Sequence, residues 1–216
     1  MHPLAISGAD RHDNFNPPRF ADVPEINFVN SEFPSLKFSN DMVPTGEEYV
    51  WQFTPAGNID KDAQLTWSRP SVSGSQQLFL LDEEQLKVID MSQISQYNFV
   101  LTASSRFRIF FGHDIQKKIT PQNIAASAPF PNPLATDLRA TINVALPDNG
   151  DLHQINLQIF NLQGVQMGSI NRSFKSGIHS VEFELNNSIP TDMYLYRLVV
   201  SSEKTSKVFT GKIMKP

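Results

Sequence analysis

Period-two alternation of apolar and polar residues is clearest in residues 140–160, which read ATINVALPDNGDLHQINLQIF. Every second residue of 142–146 and of 155–159 is Ile, Val or Leu, and their neighbours are polar or small. This spacing is typical of β-strands that bury one face. The intervening residues 147–151, PDNGD, are a strong turn signal because Asn and Gly readily adopt turn conformations. The stretch therefore predicts two strands joined by an Asx-rich hairpin turn.

The same alternation continues on both sides of this stretch. After residue 131 it is interrupted by turn residues at short intervals, which predicts an antiparallel, immunoglobulin-like sandwich of about seven strands. No stretch longer than a turn has helical periodicity. The predicted fold class is therefore all-β, with two tandem antiparallel β-sandwiches. The further alternating stretches lie at residues 49–53, 65–67, 97–101, 107–111, 181–185, 194–200 and 208–214.

The boundary between the two predicted domains lies where the alternation stops. Residues 117–133 contain Ala125-Ala126-Ser127-Ala128 followed by prolines at 129, 131 and 133. Small residues and spaced prolines are typical of an extended linker. We therefore predict three parts: a β-sandwich accessory module over residues 1–116, with an irregular lead-in over 1–22, a linker over 117–130, and an immunoglobulin-like domain over 131–216.

Composition excludes several classes of function. The chain has no cysteine, so it has no disulfide, thiolate nucleophile or cysteine-ligated metal. Its formal net charge of -4 gives no case for binding nucleic acid or anionic membrane. No segment approaches the roughly 20 apolar residues of a transmembrane span. Residues 1–13 do not resemble a signal peptide, so an exported protein with this sequence is expected to be the C-terminal part of a longer chain.

No residue pattern points to catalysis. The five histidines do not form pairs with the spacing of metal ligands. The chain has no Gly-x-Ser-x-Gly motif and no glycine-rich phosphate loop. Asp148, Asn149 and Asp151 could bind calcium, but an Asx-rich turn explains them more simply. We therefore predict a protein that is not an enzyme and has no catalytic residue, metal or cofactor.

Several short motifs follow one another in residues 129–216. An aromatic-Pro-Asn-Pro sequence precedes a strand that ends in Leu-Pro, and two glycine-containing turns, a Tyr-x-Tyr-Arg-Leu strand and a lysine-rich strand come after it. In this order they resemble the C-terminal sorting domain of the type IX (Por) secretion system of Gram-negative bacteria. The matching segments are Phe130–Pro133, Arg139–Pro147, Phe160–Gly164, Gly177–Val181, Met193–Leu198 and Lys207–Lys215.

The resemblance implies that this domain is recognised and does not catalyse a reaction. In that family an outer-membrane translocon passes the folded protein, and a shuttle protein carries it by this domain. A sortase then cuts before the domain and joins the cargo to a surface lipopolysaccharide. The chain is accordingly expected to be secreted or displayed at the cell surface. The residues that match the sorting motifs are Pro131, Asn132, Pro133, Gly164, Gly177, Tyr194, Tyr196, Arg197, Lys212 and Lys215.

The chain also departs from the family. Asp192 stands where relatives have Gly, and Asp tolerates a positive φ better than most residues do. Pro216 stands where many relatives have Lys. Tyr194 and Tyr196 share one face of a strand, so we expect them in the core. Pro131-Asn132-Pro133 is expected to shape the first turn of the domain and not to touch a partner.

Two interpretations remain open for the linker and the final strand. A sortase needs exposed, extended backbone, and Ala125, Ala126, Ser127 and Ala128 are the expected cleavage region; an ordinary interdomain linker is the alternative. The lysine group could contact the secretion machinery, or it could only prevent pairing at the edge of a sheet. The lysines in this group are Lys204, Lys207, Lys212 and Lys215.

The first half is less distinctive. Residues 10–13, DRHD, followed by Pro17-Pro18, resemble the start of β-sandwich modules in large exported proteins of the same bacteria. An alternative function for the chain is a carbohydrate-binding or adhesive pair of sandwiches that both stay on the mature protein. A glycan ligand would need Trp51 and Trp67 to be exposed along one groove, whereas the alternation around Trp51 indicates a core position.

Overall fold

The computed structural model describes residues 1–6, 8–17, 24–29, 36–46, 48–68 and 75–216. Apart from one helical turn, α1 (Ile115–Lys118), the regular elements of these residues are β-strands, so the predicted all-β class is confirmed. The strands are β1 (Asn14–Phe15), β2 (Glu25–Phe28), β3 (Phe38–Asn40), β4 (Tyr49–Ala56), β5 (Lys61–Thr66), β6 (Gln77–Asp82), β7 (Lys87–Asp90), β8 (Gln96–Leu101), β9 (Phe107–Gly112), β10 (Ala125–Ala126), β11 (Arg139–Leu146), β12 (His153–Phe160), β13 (Gln166–Phe174), β14 (Gly177–Glu184), β15 (Asp192–Ser201) and β16 (Ser206–Lys215).

The chain divides into two compact units, Met1–Lys118 and Ile119–Pro216. In the described part of the first unit, seven antiparallel strands form a sheet in the order β1-β3-β2-β4-β9-β6-β7, and β5 pairs with β8. The core is aromatic: Phe107 contacts Phe53, Tyr97 and Phe99 with ring centroids 5.3, 6.3 and 5.0 Å apart. Residues 7 and 18–22 of the predicted lead-in, including Pro18, lie outside the described residues.

A buried polar cluster holds the turn between β6 and β7. Asp82 is 2% exposed and accepts hydrogen bonds from the backbone N–H groups of Glu84 and Gln85 at 3.0 and 2.8 Å. The Tyr97 hydroxyl donates to the same carboxylate at 2.9 Å. Burial raises the pKa of Asp82 above its usual value because it removes water from the charged form, and burial likewise raises the pKa of Tyr97.

The second unit is a sandwich of two antiparallel sheets. β10, β11 and β14 form one sheet in that order, and β13, β12, β15 and β16 form the other. Alternate residues point into the space between them, so Ile142, Leu157, Leu198 and Ile213 are fully buried. Removing this apolar surface from water is the main force that holds the sheets together. The predicted sandwich of about seven strands is confirmed by β10 to β16.

The strands on either side of residues 147–151 do not pair with each other, so the predicted hairpin is wrong. β11 pairs with β10 and β14, whereas β12 pairs with β13 and β15. The turn therefore carries the chain from one sheet to the other. Its Asx character is present, since the Asn149 side chain accepts the N–H of Asp151 at 3.1 Å. Alternation identifies the buried face of a strand, but which strands pair with each other depends on the packing of the whole sheet.

Residues 125–130, which were predicted to belong to a linker, run along β11 within the second unit. Ala125 lies opposite Ala145, and the Ser127 N–H donates to the Asn143 carbonyl at 2.9 Å. Phe130 exchanges two backbone hydrogen bonds of 2.9 Å with Thr141. Small residues are compatible with a linker, but they also fit closely against a neighbouring strand, and here they form the edge of a sheet.

Candidate functional site

The aromatic-Pro-Asn-Pro motif is attached to the final strand of the chain. The Asn132 side-chain amide donates to the Lys212 carbonyl at 3.0 Å, and its oxygen accepts the Met214 N–H at 2.9 Å. The N–H of Leu134 donates to the Met214 carbonyl at 2.8 Å. Since Phe130 bonds to β11, the motif passes from the edge of one sheet to the edge of the other. We call residues 130–134 the edge clamp.

Two prolines flank Asn132 in the edge clamp, and neither has a backbone N–H. Pro131 and Pro133 have no N–H to leave unsatisfied at this edge. The peptide bonds before both prolines are cis. Asn132 therefore lies between two residues that cannot donate, and its side chain supplies both the donor and the acceptor that β16 requires. Both the NH2 group and the oxygen of its side chain are thus hydrogen-bonded within the fold.

Lys215 is a buried cation and not a surface lysine. It is 6% exposed, and its ammonium group donates to the carbonyls of Asn186 and Asn187 at 3.2 Å each and to the carbonyl of Ile189. These carbonyls belong to the turn that precedes β15. A buried charge is tolerated only when polar groups replace its water, and here the carbonyl dipoles do so. Lys215 thereby fixes the end of β16 to this turn.

The remaining lysines of the group have separate environments. Lys207 donates to the Ile124 carbonyl at 2.8 Å and lies over the Phe209 ring at 5.3 Å. Lys204 lies in the turn between β15 and β16, 3.9 Å from an Asp151 carboxylate oxygen. Lys212 is exposed on the outward face of β16. The four lysines predicted as one group therefore do not form one surface.

The tyrosines of the Tyr-x-Tyr-Arg-Leu motif lie in the core. Tyr194 and Tyr196 are 2% and 7% exposed, and the Tyr194 hydroxyl donates to the Pro190 carbonyl at 2.5 Å. Burial raises the pKa of both hydroxyls because it disfavours the phenolate form. Arg197 of the same motif points outward and donates to the Gln158 side chain at 3.3 Å.

One residue with a clear structural role was not singled out from the sequence. A Cβ added at Gly211 would lie 2.7 Å from Cε1 and 2.9 Å from the hydroxyl oxygen of Tyr196, which is its partner on β15. Gly211 therefore makes room for the buried tyrosine. A glycine inside an otherwise well-formed strand is the sequence signal for such a close approach.

The glycines of the two motif turns have positive φ angles, +80° at Gly164 and +124° at Gly177. Only glycine adopts such angles without steric cost. Asp192, the departure from the family pattern, is the first residue of β15 and is not among the described residues with positive φ. Its side chain accepts the Met193 N–H at 2.7 Å, so Asp is compatible with the backbone at this position.

The two tryptophans of the first unit have different environments. Trp51 is half-buried on β4 and packs against Tyr49 with ring centroids 4.8 Å apart. Trp67 follows β5, packs against the core and donates its indole N–H to the Met91 carbonyl at 3.0 Å. The shared exposed groove that a glycan ligand would need is therefore not formed by this pair.

Two further properties concern the part of the chain that the structure describes. No group of three or more His, Asp or Glu side chains in it is placed to hold a metal ion. No helix in it is long and apolar enough to cross a membrane.

Comparison with known proteins yields distant structural likenesses. No protein-family model and no curated protein matches the chain. Dimeric latent PorU from Porphyromonas gingivalis is similar at 13% identity over 89% of this chain and 20% of that chain, with a TM-score of 0.36. A tetra-tandem repeat from the extending region of a large adhesion protein is 10% identical over 89% of this chain and 66% of that chain, with a TM-score of 0.35. The native conformation of alpha-2-macroglobulin from E. coli is 11% identical over 94% of this chain and 15% of that chain, with a TM-score of 0.34.

The chain spans about a fifth of the PorU structure and less than two thirds of the adhesion repeat. At these identities and TM-scores, nothing about the fold, activity or partners of this chain follows from the likenesses.

Proposed function

We propose that the second unit is a type IX sorting domain and that the first unit is a non-catalytic accessory module of the same exported protein. The observation that carries the proposal is the edge clamp. Asn132 of the first sorting motif and Lys212 of the last are 80 positions apart in sequence, yet their hydrogen bond joins them. The motifs that resemble the family thus belong to one folded structure.

The proposed role is recognition during export. The second unit would be bound by a shuttle protein after passage through the outer-membrane translocon, and a sortase would release it from the cargo. The mature protein would then be secreted or remain at the cell surface. The motif residues fall into two groups. Tyr194, Tyr196 and Lys215 are buried and Asn132 is hydrogen-bonded to the final strand, so these four build the domain. Arg197 and Lys212 face solvent.

Strand pairing supports a proposal for the position of the sortase cut. A protease needs backbone that is free of a sheet, and β10 with Ser127 is hydrogen-bonded along β11. Cleavage within residues 125–128 would therefore require this edge to separate. Gln122 and Asn123 are exposed and lie just before β10, outside any strand. We place the cut on this side of β10.

Export of a reporter in a type IX-competent host tests the proposal. A fluorescent protein with a suitable signal peptide is fused to the whole chain and, separately, to residues 1–118, which end at the unit boundary. We expect only the longer fusion to reach the surface or medium and to lose a C-terminal piece of the size of the second unit. If both fusions behave alike, the second unit is another module of the mature protein and the sorting role is wrong.

A further inference from the structure

The outward face of β15 and β16 differs from the rest of the second unit. On β15, Tyr194 and Tyr196 point into the core, so Leu195, Arg197 and Val199 point away from it. On β16 the inward residue Ile213 is fully buried, and its even-numbered neighbours are exposed. We call these outward positions the β15–β16 face. Its residues are Met193, Leu195, Arg197, Val199, Val208, Thr210, Lys212 and Met214.

Strand register arranges this face in rows. Leu195 lies opposite Lys212, and Arg197 lies opposite Thr210, so the basic side chains occupy adjacent central rows. Apolar pairs flank them on both sides: Met193 lies opposite Met214, and Val199 lies opposite Val208. The exposed fractions of Leu195, Val208 and Met214 are 38%, 48% and 46%. Apolar side chains clustered in solvent are typical of binding surfaces.

The charge on this face is not compensated within the fold. Residues 75–216 are all described, and no outward position of β12, β13, β15 or β16 within them is Asp or Glu. Neither Arg197 nor Lys212 is in an ion pair of the described residues. The nearest carboxylates along these strands, Asp192 and Glu203, lie at the start of β15 and in the turn before β16.

The other sheet of the sandwich provides a contrast. Its outward positions include Glu182 and Glu184, and Arg139 is paired with Glu184 at 3.1 Å. Of the outward faces of the two sheets, only the one that includes β15 and β16 therefore has basic side chains outside the ion pairs of the described residues. The other lysines of the final strand do not extend it, since Lys207 and Lys215 are engaged by backbone carbonyls.

We propose that the β15–β16 face binds a partner protein that presents carboxylates between apolar side chains. The inference rests on the proposed function, in which this partner belongs to the secretion machinery. Paired charges would set the orientation of the two proteins, and burial of Leu195, Val208 and Met214 would supply most of the affinity. Arginine is favoured at such contacts because its planar group binds a carboxylate through two hydrogen bonds.

The side chains of the β15–β16 face favour a protein as the binding partner over a nucleic acid. Binding to nucleic acid depends on neutralising many phosphates with Lys and Arg. The β15–β16 face has only Arg197 and Lys212, set among Leu, Val and Met side chains.

Charge reversal in the full-length reporter fusion tests the inference. Arg197→Glu/Lys212→Glu makes the β15–β16 face repel the carboxylates of the partner instead of attracting them. We expect export to fall by about tenfold or more. The matched control, Arg172→Glu/Lys175→Glu, makes the same change in net charge at exposed positions on β13 and the turn after it. We expect the control to be exported like the unmodified fusion. Leu195→Gln, which leaves the charge unchanged, is expected to reduce export as well.

The outcomes separate this inference from the proposed function. If the unmodified fusion is exported and Arg197→Glu/Lys212→Glu is exported equally well, the β15–β16 face is not the binding surface, although sorting stands. An equal loss in the control variant would also overturn it, because the effect would then depend only on net charge. If the unmodified fusion stays in the cell, the proposed function is wrong and this inference is wrong with it.

A measurement of folding shows whether export is lost only because a variant does not fold. The thermal unfolding midpoint of each purified full-length variant is compared with that of the unmodified chain. Should the double Glu variant unfold, Arg197→Gln/Lys212→Gln takes its place, because it removes the charges without adding repulsion. Retained export of this folded Gln variant would equally contradict the proposal.

Discussion

At the scale of single residues, Lys215 and Lys212 lie on the same strand in opposite environments. Lys215→Met keeps the apolar part of the side chain but removes the side-chain donor to the carbonyls of Asn187 and Ile189. The carbonyl of Asn186 keeps only the N–H of Ile189, at 3.1 Å. We expect this change to lower the free energy of unfolding by about 2–3 kcal/mol, because unsatisfied buried polar groups are costly. Differential scanning calorimetry measures the effect.

The control for this change is Lys212→Met. Lys212 is exposed and unpaired in the described structure, so its replacement is expected to alter stability by no more than about 0.5 kcal/mol. A similar loss in both variants would contradict the distinct role assigned to Lys215.

A second prediction at the scale of single residues concerns the close contact between Gly211 and Tyr196. Gly211→Ala places a Cβ 2.7 Å from the ring of buried Tyr196, so either the ring or the strand must move. We expect a loss of about 1–3 kcal/mol, as is usual when a packed core is overfilled. Gly168→Ala on β13 is the control, since a Cβ there meets no atom within 4 Å. Thermal unfolding of the two variants should differ, and equal midpoints would contradict the steric role of Gly211.

At the scale of elements, the edge clamp should determine how firmly β16 is held. Asn132→Ala removes the donor to the Lys212 carbonyl and the acceptor for the Met214 N–H. We expect β16 to open more readily by about 1–2 kcal/mol, which corresponds to roughly tenfold faster amide exchange in its last residues. Hydrogen exchange with mass spectrometry on peptides from β16 measures this.

The control for the edge clamp is Asn123→Ala, at an exposed position just before β10. It is expected to leave exchange in β16 unchanged. Unchanged exchange in Asn132→Ala as well would show that the clamp contributes nothing to the stability of the edge.

The turn between β6 and β7 should give the first unit a pH-dependent stability. Burial raises the pKa of Asp82 in the folded protein above the ordinary value of 3.8, so the folded state holds this proton more tightly than the unfolded state. The stabilisation that comes from protonating Asp82 in the folded protein is thus fully present below pH 3.8 and decreases as pH rises through the raised pKa. Asp82→Asn does not titrate, and its amide oxygen can still accept the N–H groups of Glu84 and Gln85.

We therefore expect the stability of the unmodified chain, relative to Asp82→Asn, to decrease between acidic and neutral pH. Urea unfolding followed by tryptophan fluorescence reports on this unit, because both tryptophans, Trp51 and Trp67, belong to it. A difference between the two proteins that does not vary with pH would show that Asp82 titrates normally.

At the scale of the whole molecule, the proposed signal is a folded domain and not a terminal peptide. The final strands depend on Asn132 and on the turn at Asn186–Ile189, neither of which is part of them. A reporter fused only to residues 192–216 lacks these partners and the opposing sheet. We expect it to fail in export under conditions in which the whole-chain fusion succeeds. Export of the short fusion would indicate that a linear motif suffices.

The sequence alone determined the architecture and the buried faces of the second unit. Period-two alternation identified its strands and placed Tyr194 and Tyr196 inside, because a strand side chain points to the face opposite that of its neighbour. Turn chemistry marked Gly164 and Gly177, where positive φ angles require glycine. These properties depend on a few consecutive residues, so they can be read without knowing the rest of the chain.

Only the tertiary structure decided which strands are neighbours and which charges remain exposed. It places β11 and β12 in different sheets and residues 125–130 along β11. It also separates buried Lys215 from exposed Lys212, although both lie in the same lysine-rich strand, and brings Asn132 to that strand from 80 positions away. These outcomes depend on contacts between segments distant in sequence. Local alternation cannot predict them, because the same residue pattern is compatible with several sheet orders.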